Sequence, residues 1–177
     1  MYTAIALFRG INVGGNNRLL MVELVSVLEA MDFNNIQTYI QSGNVVFNHS
    51  QKLSADAAKK ISQKILQQFE FEPTVFLLDS AALQLAITNN PFSTSNPKAL
   101  HFFFFNRPPA SENIEKLEAL RAESEQIKLG DHVLYLYAPD GIGRSKLVAN
   151  IEKTLGVALT ARNWNTVKKL SDMLAPQ

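Results

Sequence analysis

The residues able to do chemistry gather in four short stretches. The first, Arg9-Gly10-Ile11-Asn12-Val13-Gly14-Gly15-Asn16-Asn17-Arg18, sets three glycines between two arginines. Glycines let backbone amides approach a ligand closely, and guanidinium groups pair with phosphate or carboxylate, so the stretch fits an anion cradle. No Gly-Lys-Ser/Thr follows, which excludes the phosphate loop of nucleotide hydrolases, and the glycine spacing is not that of dinucleotide binders. A plain connection, with its glycines in turns and its arginines in water, fits the same composition. The second stretch, Gln41-Ser42-Gly43-Asn44, offers amide and hydroxyl groups and is by itself a good turn.

The third and fourth stretches are Asp140-Gly141-Ile142-Gly143-Arg144-Ser145-Lys146 and Ala161-Arg162-Asn163-Trp164-Asn165-Thr166. Both run into predicted helices, whose starts present unpaired amides and positive potential. Gly141, Gly143, Arg144, Ser145, Lys146, Arg162, Asn163, Trp164 and Asn165 therefore form a second candidate anion site. Structural roles fit the same residues singly: Asp140 in a turn, Ser145 or Asn165 as a helix cap, Trp164 as a core plug. Across all four stretches Arg9, Arg18, Arg144, Lys146 and Arg162 face one acid, Asp140. The arginines are expected to line a cleft.

Catalytic groups are scarce. Acid–base chemistry needs a carboxylate or His at the site, and the glycine-rich stretch has neither. Tyr39 and Ser42 have no adjacent His or Lys to activate them. His49, His101 and His132 are isolated, and the acids are scattered or follow a helix face, as Glu112, Glu115 and Glu118 do, so no metal is expected. His101 opens an apolar strand and reads as structural. The residues name no reaction and no cofactor.

These stretches must be positioned by secondary structure. Residues 3–8 predict a strand buried on both faces. Leu20, Leu24, Val27, Leu28 and Met31 predict a helix ending near Asp32. Residues 36–41 and 45–48 predict a hairpin across Ser42-Gly43-Asn44, Ser54 caps a predicted helix carrying Ala58, Ile61, Ile65, Leu66 and Phe69, and residues 74–78 form the next strand. A short helix over 80–87 leads into a polar, proline-containing segment, the linker candidate.

The second half repeats the order. A strand at 100–105 precedes a helix capped by Ser111 and running to about Ala122. A hairpin of 127–129 and 133–137 follows, then a helix with Leu147, Val148, Ile151 and Leu155, a short strand at 157–160, and a terminal helix carrying Val167, Leu170, Met173 and Leu174. Both halves read strand, helix, strand, strand, helix, strand. The expected class is α+β, with two ferredoxin-like (split βαβ) subdomains and mainly antiparallel sheets, over 1–88 and 99–177 with 89–98 as linker. In such a sheet the first two strands run the same way, so Arg9 and Gln41 share one end. The strands leaving at Tyr137 and Thr160 are paired likewise.

Composition bounds the partner. The chain has 177 residues, 46% hydrophobic and 19% charged, and 17 Lys+Arg against 16 Asp+Glu leave a net charge of +1. That length supports one or two cores, and that charge opposes coating DNA or a membrane through bulk electrostatics. Without Cys there is no disulfide or thiolate chemistry, as suits a reducing cytoplasm. No signal-peptide pattern is read at the start, and no apolar run approaches the roughly 20 residues that span a bilayer. The expected partner is thus a small anion, phosphorylated or nucleotide-like, with catalysis left open and the oligomeric state unset. An alternative is a single-stranded nucleic-acid binding module offering Tyr39, Phe47 and Phe76 to bases. A third reading, an interaction protein, calls for an exposed apolar patch without a pocket.

The four stretches, in the forms Ala6-Leu7-Phe8-Arg9-Gly10-Ile11-Asn12-Val13-Gly14-Gly15, Tyr39-Ile40-Gln41-Ser42-Gly43-Asn44-Val45-Val46-Phe47, Asp140-Gly141-Ile142-Gly143-Arg144-Ser145-Lys146-Leu147 and Thr160-Ala161-Arg162-Asn163-Trp164-Asn165-Thr166-Val167, resemble the bacterial family catalogued as domain of unknown function 1697. The resemblance implies one protein type built from two α+β subdomains. It implies no activity, cofactor or residue role.

Overall fold

The structure, a computed structural model, describes residues 1–109 and 113–174. It divides into two compact units, Met1–Gln84 together with the chain from Lys169 onward, and Leu85–Lys168.

The first unit holds β1 (Tyr2–Arg9), α1 (Met21–Glu29), β2 (Asn34–Tyr39), β3 (Asn44–His49), α2 (Ala57–Phe69) and β4 (Thr74–Asp79). Its sheet has the order β2-β3-β1-β4, with every pair antiparallel. Alternation along β1 sends Ala4, Ala6 and Phe8 into a core shared with Leu24, Val27 and Leu28 of α1 and Ile61 and Ile65 of α2. Ile5 and Leu7, on the other face, are equally buried, which is why the strand reads as an unbroken apolar run. Each aliphatic side chain that α1 buries contributes about 1.5–3 kcal/mol. The helix is shorter than its periodicity suggests: Ala30 closes it, and the Phe33 amide returns to the Leu28 carbonyl at 3.2 Å. Asp56 rather than Ser54 stands at the N-cap of α2, and the Ser54 hydroxyl donates to the Asp56 carboxylate.

α3 (Ser80–Thr88) is followed by the second unit's β5 (Leu100–Phe105), α4 (Ile114–Glu118), β6 (Gln126–Leu129), β7 (Val133–Tyr137), α5 (Lys146–Leu155) and β8 (Leu159–Asn163), and α6 (Trp164–Met173) ends the chain's described structure. This sheet has the order β6-β7-β5-β8, again antiparallel throughout. Phe103 and Phe105 face Leu147, Ile151 and Leu155 of α5, whereas Phe102 lies on the other face, edge-on to Tyr135 and stacked on Trp164. The protein is therefore α+β with two four-stranded antiparallel sheets, each in the strand order that split βαβ connectivity produces.

Two boundaries differ from the expected ones. A helix to about Ala122 is interrupted after Glu118, because the buried Glu125 carboxylate accepts the Ala122 amide at 2.8 Å and Arg121 donates to the Glu125 carbonyl. Ser111, expected as its cap, and Glu112 lie outside the described residues. The last strand is not 157–160 but Leu159–Asn163, since β5 offers pairing partners as far as His101, opposite Asn163. Ala161, Arg162 and Asn163 are thus strand residues, and α6 starts directly at Trp164.

Candidate functional site

At one end of the first sheet the first two stretches meet. β1 and β2 both run antiparallel to β3, so they leave the sheet at the same end, as the topology predicts. The glycine-rich stretch folds on itself as a small hairpin: the Asn16 amide donates to the Val13 carbonyl at 3.0 Å and the Asn12 amide to the Asn17 carbonyl at 3.1 Å. Gly14 and Gly15 form its tip with φ of 59° and 79°, the double positive φ of a tight two-residue turn. Asn17 Nδ2 donates to the Gly10 carbonyl at 2.8 Å.

Asn12 joins this hairpin to its surroundings. Its Nδ2 donates to the carbonyls of Leu19 and Gln41, each at 2.8 Å, and its Oδ1 accepts the Leu19 amide at 2.9 Å. The turn between β2 and β3 is held from the other side by the Phe8 amide, which donates to the Gly43 carbonyl at 2.8 Å. Gly43 has φ of 74°, and a Cβ there would stand 2.6 Å from both Phe8 Cβ and Ile11 Cδ1. Conformation and space both demand glycine. Asn44 is buried, its Nδ2 donating to the Tyr39 carbonyl and the Ser42 hydroxyl. Asn12 and Asn44 thus brace the surface, while Arg9, Gly10, Gly14, Gly15, Asn16, Arg18, Gln41 and Ser42 are exposed on it. Ile40, φ 50°, is the feature that sequence reading misses: a β-branched residue in the left-handed region costs on the order of 1–3 kcal/mol.

The third and fourth stretches share one end of the second sheet. Tyr137 pairs with Leu100 and Asn163 with His101, so β7 and β8 leave the sheet at the same end, one on each side of the start of β5. Gly141, φ 84°, closes a turn by donating its amide to the Ala138 carbonyl, and Asp140 accepts the Ser124 hydroxyl at 2.6 Å. Ser145 caps α5, accepting the Val148 amide at 3.1 Å. α6 is capped by Asn163 Oδ1 on the Thr166 amide, not by Asn165, because the strand runs on to Asn163. Gly143, Arg144, Lys146 and Asn165 are exposed, and Trp164 is half-buried. Arg162 Nη1 donates to Thr160 Oγ1 and the Ala161 carbonyl, both at 2.8 Å. Burial pushes its guanidinium down to about 10, so it stays cationic at neutral pH.

Other candidate groups sit elsewhere. Phe47 and Phe76 are buried, which withholds them from bases, and Tyr39 is half-buried. His101 is buried, and desolvation holds its imidazole below the ordinary range, partly offset by the Lys98 carbonyl. Desolvation, with a smaller contribution from Asp131, raises the Tyr135 phenol to about 12, and its hydroxyl donates to the Ala86 carbonyl at 2.8 Å. Among the described residues no three His, Asp or Glu side chains come together to hold a metal, and no helix is long and apolar enough to cross a membrane.

Known proteins agree with the fold. The chain is similar to the conserved bacterial protein SP0830 from Streptococcus pneumoniae, with a TM-score of 0.72 at 24% identity over 98% of this chain and 99% of the other. No curated protein matches. The profile of the family described as protein of unknown function (DUF1697) matches residues 1–135, which takes in the glycine-rich hairpin and the Gln41–Asn44 turn but stops short of the two later stretches. The chain belongs to the DUF1697 family.

Proposed function

We propose that the protein binds a small anionic ligand, phosphorylated or nucleotide-like, at the loop end of the first sheet. Arg9 and Arg18 supply the charge, and Gly10, Gly14, Gly15, Asn16, Gln41 and Ser42 supply amides and hydroxyl groups. The observation carrying this reading is the bracing by Asn12. One buttressed side chain fixes the glycine-rich hairpin, the entry to α1 and the β2–β3 turn together, so the surface beside the arginines is ordered before any ligand arrives. Near-neutral net charge directs that local excess toward a small anion rather than a long polyanion. The exposed Arg144 and Lys146 at the capped start of α5, with Gly141, Gly143, Ser145, Arg162, Asn163, Trp164 and Asn165, form a second anion-binding end on the same reasoning.

Thermal denaturation with phosphate, nucleotides and sugar phosphates tests this. A ligand at about 100 times its dissociation constant stabilises by about 2.7 kcal/mol. That gain should vanish in Arg9→Ala and Arg18→Ala; a full gain retained by both variants refutes the assignment.

A further inference from the structure

Two positions at this loop end break the local rules in the same direction. Leu20 is the N-cap of α1, where Ser, Thr, Asp or Asn would accept an amide; Leu20 makes no side-chain cap, and Glu23 Oε2 reaches back to its backbone amide instead. Ile40 occupies the left-handed region, where Gly or Asn would be unstrained. Both positions favour Gly or a small polar residue, and both carry a large aliphatic one that is only about half covered, 42% exposed at Leu20 and 52% at Ile40. Val13, beside the glycine tip, is 66% exposed.

Their placement is not scattered. Asn12 bonds to groups of Leu19 and Gln41, and Val13, Leu20 and Ile40 are the immediate chain neighbours of Asn12, Leu19 and Gln41. One staple therefore ties together the backbone at three places, each next in the chain to an exposed aliphatic residue, with Arg18 adjoining Leu19 and Arg9 adjoining Gly10, whose carbonyl Asn17 holds. Local preferences are expected to be broken where function demands it.

We infer that the ligand is an amphiphilic anion: its charged group meets Arg9 and Arg18, and an aliphatic or aromatic portion lies on Val13, Leu20 and Ile40. This rests on the anion-binding reading and adds the ligand's second half. The cationic flank selects an anion over a neutral lipid or an apolar peptide.

Binding of inorganic phosphate, n-butyl phosphate and n-hexyl phosphate to the full chain tests it, with Val13→Thr/Leu20→Ser/Ile40→Asn as the comparison. The Leu20 and Ile40 replacements suit the local backbone, so the variant is expected to fold, and its thermal midpoint checks that. A fully buried methylene is worth about fourfold in affinity, so n-hexyl phosphate should bind the wild type at least about tenfold more tightly than phosphate. In the triple variant that ratio should fall close to one. Phosphate binding with no gain from the alkyl chain, or a gain the triple variant retains, overturns the inference while the anion site stands. Failure of all three probes to bind overturns the anion site itself, and this inference with it.

Discussion

A methyl group at position 43 would press on Phe8 Cβ and Ile11 Cδ1 at 2.6 Å, whereas one at Gly14 meets none of the described residues beyond its chain neighbours within 4 Å. Both glycines have positive φ, so the two substitutions separate packing from backbone strain. Gly43→Ala is expected to cost about 2–4 kcal/mol in urea denaturation, strain plus overpacking, and Gly14→Ala about 1 kcal/mol. Equal costs would mean that the Phe8–Gly43 contact does not hold the loop end. Composition alone identifies the glycine-rich stretch and its partner turn. It does not separate Asn12 from Asn16 and Asn17, because three asparagines in a glycine-rich run look alike until a contact 29 residues away, to Gln41, distinguishes one. The strain at Ile40 is equally invisible, since no propensity puts isoleucine in a left-handed turn.

Strand β5 shows what neighbouring elements add. Its five apolar positions around His101 and its bounds are legible directly, because a strand buried on both faces is a nearly uninterrupted run. The end of β8 is not legible, since pairing with β5 rather than hydropathy carries it to Asn163. His101 reads as structural, and its burial has a consequence for stability. Nε2 has no hydrogen-bond partner among the described residues and the ring sits below its ordinary pKa, so below about pH 6.5 the unfolded chain takes up a proton that the folded chain resists. Stability therefore falls as pH drops through that value toward the folded pKa. Relative to His101→Gln, the wild type should lose up to about 1.4 kcal/mol between pH 7.5 and 5.5 by denaturant midpoints. Parallel pH profiles would contradict the burial of a neutral imidazole.

For the whole molecule, the net charge of +1 averages over a polarised distribution, with Arg9, Arg18, Arg144, Lys146 and Arg162 in the four stretches against the single acid Asp140. The duplicated strand order was readable from alternation and turn residues, while the assignment of the chain from Lys169 onward to the first unit depends on long-range packing that no local pattern encodes. If residues 89–98 form the linker, proteinase K should nick first at 93–96, where all four residues are exposed; first cuts inside either sheet would count against that boundary. Anion binding at the loop end of the first sheet is read most plainly by amide chemical-shift mapping during a phosphate titration. Saturable shifts should centre on Gly10, Gly14, Gly15, Arg18, Gln41 and Ser42, whereas saturable binding that leaves these amides unmoved would contradict an anion site there.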